Sequence, residues 1–132
     1  MKLTNQKFTT MALHTFEDLE VWKRACRLGV EIGAAVEGLK PYSMQDQMYR
    51  AAISIPSNIA EGAERDSTGD FIRFLRIAKG SCAELRTQLY IHQKIAQKQG
   101  REPLSSTSEY LEETRGISAM IQALIKSLQA SK

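Results

Sequence analysis

The chain reads as all-helical, an up-down-up-down antiparallel four-helix bundle. Three features carry this. Apolar residues recur at three- and four-residue spacing over four long stretches. No stretch alternates with period two or gathers the β-branched and aromatic residues of a strand. The links, marked by Gly38, Pro41, Gly100 and Pro103, are short, which favours antiparallel neighbours.

The first helix is expected over about Phe16 to Leu39, with Leu19, Trp22, Cys26, Gly29, Gly33 and Val36 as its apolar line and Ala25 and Ile32 beside it. Thr15 caps it, and Glu17 and Asp18 place negative charge in its first turn, where it suits the helix dipole. The second runs from about Ser43 to Arg65 on Met48, Ala52, Ile55 and Ile59. Pro56 lies inside it, removes one backbone donor and crowds the carbonyl of Ala52. The apolar line continues past it, so a kink is expected, with the hydroxyls of Ser54 and Ser57 serving the freed carbonyl. The third, from Thr68 to Lys98, is the most regular: Phe71, Phe74, Ala78, Cys82, Leu85, Leu89, His92 and Ala96 face one way. Ser67 and Asp70 have capping-box spacing at its start. The fourth runs from about Ser106 to Gln129, with Ser106 and Glu109 as a second capping box. Its seam is Tyr110, Ile117, Ile121, Leu124 and Leu128, flanked by Leu111 and Ile125.

A length of 132 residues accommodates one domain, assigned to residues 16–132, with residues 1–15 expected as a flexible tail. Two cysteines are too few for a disulfide framework; both fall on apolar lines and read as buried thiols. The apolar block of a signal peptide is absent, as is any run long enough to span a membrane, so a cytoplasmic protein without a membrane partner is expected.

The net charge of +3 is unevenly spread. Residues 67–103 hold seven bases and three acids, whereas residues 41–66 hold two bases and four acids. At 100° per residue, Arg73, Arg76, Lys79, Arg86, Lys94, Lys98 and Arg101 project into one arc of about 140°. The apolar line of the same helix points the other way. Such a stripe, about 45 Å long, spans several phosphates of a duplex or a structured RNA. A charged outer face is also what any bundle helix shows to water.

The run Arg50-Ala51-Ala52-Ile53-Ser54-Ile55-Pro56-Ser57-Asn58-Ile59-Ala60-Glu61-Gly62 is distinctive. Together with Phe16-Glu17-Asp18-Leu19-Glu20-Val21-Trp22-Lys23 before it and Phe71-Ile72-Arg73-Phe74-Leu75 after it, it resembles a bacterial four-helix-bundle family. That family includes proteins encoded in intervening sequences of large-subunit ribosomal RNA genes and the accessory variability determinant of diversity-generating retroelements. The resemblance covers about Phe16 to Leu128. It implies a ring-shaped homopentamer and, for retroelement members, binding to nucleic acid and to a reverse transcriptase. It marks Arg50, Ser54, Pro56, Ser57, Asn58, Glu61 and Gly62 as structural or oligomer-contact positions. Asn58, at the edge of the apolar line, is expected to hydrogen-bond near a subunit contact.

Nothing points to an enzyme. Di-metal bundles need Glu-x-x-His pairs on two helices; Glu61 and Glu64 have the spacing of two carboxylates but no histidine. His92 on the seam reads as a hydrogen-bonded, partly buried side chain. Gly62 to Asp70 lacks the lysine of a phosphate loop. Trp22 reads as a packing anchor. The expectation is a protein without metal, cofactor or small-molecule substrate, which binds RNA or DNA through Arg73, Arg76, Lys79, Arg86, Lys94 and Lys98. The alternative is an assembly protein that binds a protein partner without nucleic acid.

Overall fold

The computed structural model describes residues 15–131; the expected N-terminal tail, apart from Thr15, lies outside them. A 3-10 turn, Phe16–Asp18, leads into α1 (Glu20–Val36), α2 (Tyr42–Ala63), α3 (Thr68–Lys98) and α4 (Thr107–Ala130). No strand occurs among the described residues. The molecule is a four-helix bundle. Each helix packs on the next and α1 closes on α4, while the diagonal pairs stay apart. The seam between α2 and α3 is the most extensive.

Paired positions fix the register. Gly29 lies against Ala52 and Ile53, and Gly33 against Tyr49. The Ser54 and Ser81 hydroxyls hydrogen-bond at 2.8 Å, and Gly62 lies under Phe74. Lys79 reaches Gln122 and Arg86 reaches Thr114. Inside, Ile32, Met48, Ile55, Ile59, Leu75, Leu85, Leu89, Ile117, Ile121 and Ile125 are almost wholly removed from water. Burying such side chains contributes roughly 1.5–3 kcal/mol each.

Several expected details differ. The first helix is shorter at both ends, because Leu19 adopts extended backbone after the 3-10 turn and Glu37 leaves helical geometry before the turn at Gly38 (φ +78°). Its inward stripe is rotated to Val21, Ala25, Leu28, Ile32 and Val36. Leu28 and Ile32 have more apolar area to bury than Cys26 and Gly33, and so they take the centre. Cys26 is accordingly only half-buried, not a core thiol, whereas Cys82 is fully enclosed and burial pushes its thiol up to about 11 against a small opposing pull from Arg86. Trp22 is half-buried, edge-on to Phe16 at 5.2 Å. On α4, Ile125 occupies the centre, and Leu124 and Leu128 flank it.

The caps divide. The Ser67 hydroxyl accepts from the Asp70 backbone N–H at 3.1 Å, as the spacing predicts. Ser106 makes no such bond; its neighbour Thr107 is buried and donates its hydroxyl to the Leu104 carbonyl at 2.7 Å.

Candidate nucleic-acid interface

α3 presents its basic residues on the side away from the core, but not equally. Arg76, Lys94 and Lys98 are exposed and make no ion pair among the described residues. Arg73 is exposed, 3.6 Å from Asp70, with its guanidinium 4.6 Å over the Phe74 ring. Lys79 and Arg86 are half-buried and lean toward α4. Lys79 Nζ donates to Gln122 Oε1 at 2.7 Å, and Arg86 Nη1 donates to Thr114 Oγ1 at 3.3 Å. Thr114 is fully buried and donates to the Leu111 carbonyl, so the acceptor that Arg86 reaches is itself held in place. Arg101, past the helix end, folds back on Gln99.

The same flank holds residues the charge arc alone did not single out. Arg115 on α4 donates to the Tyr90 hydroxyl at 2.6 Å and pairs with Glu112 at 3.3 Å. Tyr90 is 40% exposed, and Lys126 is exposed further along α4. Tyr90 was legible, since 100° per residue puts it inside the basic arc. Arg115 was not, because its place depends on the register of α4 against α3.

The motif run of α2 is placed differently. Ser54 and Asn58 face α3. Asn58 Nδ2 donates to the Ser54 carbonyl at 2.8 Å and to the Ser54 hydroxyl at 2.9 Å, and that hydroxyl is bonded to Ser81. The Ser54 hydroxyl therefore serves the helix seam rather than the carbonyl freed by Pro56, and Ser57 is exposed. Pro56 is buried. Gly62 lies so close to Phe74 that an added Cβ would stand 2.6 Å from the Phe74 Cβ and 3.1 Å from Phe71 Cδ1. Arg50 and Glu61 are exposed and locally engaged, Arg50 with Asp46 inside α2 and Glu61 with Arg65 just past its end, both at 2.9 Å. Arg65 also lies 4.7 Å over the Phe74 ring.

His92 is 3% exposed and its Nε2 has no hydrogen-bond partner, contrary to the bonded histidine the seam position suggests. Gln88, one turn earlier, has an unpartnered Oε1. Burial, and secondarily the charge of Arg101, lower the His92 pKa. On the far seam, Arg24 forks onto Glu113 at 2.6 and 3.0 Å, in space that only a glycine at position 116 leaves open. That bond holds the Glu113 carboxyl below the usual carboxylate range, against partial burial. Among the described residues no cluster of His, Cys, Asp and Glu suits a metal ion, and no helix is long and apolar enough to cross a membrane.

No curated protein matches the chain. A solved structure from Bacteroides thetaiotaomicron, a protein of unknown function from the S23 ribosomal protein family, superposes with a TM-score of 0.71. It is 22% identical, and the alignment covers 80% of this chain and 98% of that one, a likeness of fold. The family model described as 23S rRNA-intervening sequence protein matches residues 17–123, and the chain belongs to that family.

Proposed function

We propose that this chain is a non-enzymatic, self-associating member of its family that holds RNA or DNA against the outer face of α3. The observation that carries the reading is the row Arg73, Arg76, Lys79 and Arg86, on one flank of one long helix, with Lys94 and Lys98 continuing it. Phosphate contacts from such a row release counterions, so affinity falls steeply with salt. The paired positions along neighbouring helices support an up-down-up-down course, with the buried Pro56 bending α2. By family resemblance the assembly is a cytoplasmic homopentameric ring, which repeats the row once per subunit, and its protein partner is a reverse transcriptase.

Filter binding at low salt, with a structured RNA and a duplex DNA as probes, tests the reading. Binding that is lost when Arg73, Arg76, Lys79 and Arg86 are all changed to Ala supports it. No binding by the unaltered protein, or binding indifferent to those four changes, overturns it.

A further inference from the structure

The α1–α2 flank carries a groove of about 510 Å³ that the nucleic-acid reading does not use. Val30, Gly33, Ala34, Tyr49 and Ile53 line it, and Glu37 stands on its rim. Val30 is 70% exposed, Tyr49 48% and Ile53 39%. Asp46 lies in the adjoining cleft with Glu37 and Tyr49. Asp46 is paired with Arg50, but Glu37 makes no ion pair among the described residues.

A second apolar patch lies on the C-terminal half of α3. Tyr90, Ile91 and Ile95 form a shallow cleft of about 290 Å³ with Lys94 and Lys98. Ile91 is 47% exposed. The two lysines make no ion pair among the described residues, and no acid lines the cleft. Patches of exposed large hydrophobics rimmed by charge mark contact surfaces. Here one molecule carries two unlike ones, an acid-rimmed groove and a lysine-rimmed ridge.

We infer that the occupant of the α1–α2 groove is the α3 ridge of a second copy of this chain. Ile91 and Ile95 would then be covered by Val30, Tyr49 and Ile53, with Lys94 and Lys98 facing Glu37 and Asp46. The inference rests on the self-associating reading above and adds its surfaces and its sense. Because the two patches differ, the contact is head-to-tail, and every subunit uses both; such contacts close into rings or run on as filaments. It also divides the basic row: Lys94 and Lys98 serve the contact between copies, and the four bases nearer the start of α3 lie outside that contact and face phosphate.

The full chain is tested by light scattering with two singly blocked variants, Val30→Lys and Ile91→Glu. Each places a charge at an exposed position against a like charge across the contact. The unaltered chain is expected to run as a multimer of the 14.8 kDa subunit. Each variant alone is expected as a monomer. Their equimolar mixture is expected at twice the subunit mass and no larger, because only one intact groove then meets one intact ridge. Ala34→Lys and the pair Lys94→Glu with Lys98→Glu repeat the experiment from each side, and far-UV circular dichroism reports that every variant is folded. Folded variants that keep the full multimer mass overturn the inference and leave self-association standing. A mixture that stays monomeric also overturns it. An unaltered chain that is monomeric at every concentration overturns both.

Discussion

The motif run of α2 and the basic row of α3 belong to adjacent helices and face in different directions. From α2, Ser54, Asn58 and Gly62 turn into the seam with α3, where a glycine accepts Phe74 and an amide and two hydroxyls bond in a chain. From α3, the bases turn outward, and those that find partners find them on α4 or within α3. Part of the recognisable run, Ser54, Asn58 and Gly62, thus serves the contact between two helices, while Arg50, Ser57 and Glu61 of the same run stay exposed. The residues with chemistry to offer a partner are ordinary surface bases whose arrangement alone is informative.

Changes at the seam positions of the run should therefore strike stability, and changes at the exposed bases of the row should not. Gly62→Ala is the severest. Its Cβ has no room against Phe74 and Phe71, and overpacking of this kind costs about 1–3 kcal/mol. Urea denaturation should show a lower midpoint, and an unchanged midpoint would mean that the two phenylalanines yield freely. Asn58→Leu removes the bonds to Ser54 and should cost on the order of 1 kcal/mol in the same assay.

A third change probes the seam through pH. Burial, with a smaller contribution from the charge of Arg101, holds the His92 pKa below the ordinary 6.5 in the folded state. A base depressed in this way contributes stability that is complete above its unfolded pKa and declines as pH falls below it, because the unfolded chain then binds the proton more readily. The melting temperature should therefore drop between about pH 7 and pH 5 by less in His92→Gln than in the unaltered protein. Equal drops would remove His92 from the account. The smallest effect belongs to the row: Arg73→Ala and Arg76→Ala should each leave stability within about 0.5 kcal/mol, since exposed charges and an exposed ion pair contribute little.

Most of the architecture was legible because apolar spacing on α2 and α3 is unambiguous: Met48, Ala52, Ile55 and Ile59, and the line from Phe74 to Ala96, are all buried as read. On α1 the spacing admitted two stripes, and the choice fell to side-chain area, which displaced Cys26 and Gly33 toward the groove. The caps failed at Ser106 because Thr107 found a buried carbonyl, a tertiary fact. For the site, charge and period gave the row; Tyr90 shares the same arc, but an arc drawn from the bases alone passed over it. What they could not give was which bases α4 takes up, since Lys79 and Arg86 are drawn to Gln122 and Thr114 by a register that lies in no local pattern.

The salt dependence of binding bears most directly on the outward-facing row. Fluorescence anisotropy with a labelled duplex DNA, run between about 50 and 200 mM salt, gives the slope of log affinity against log salt, which is near −0.9 for each phosphate neutralised. A steep slope is expected for the unaltered protein and a markedly shallower one when Arg73, Arg76, Lys79 and Arg86 are replaced by Ala, with the folded state unchanged. The same slope in both proteins would contradict that expectation.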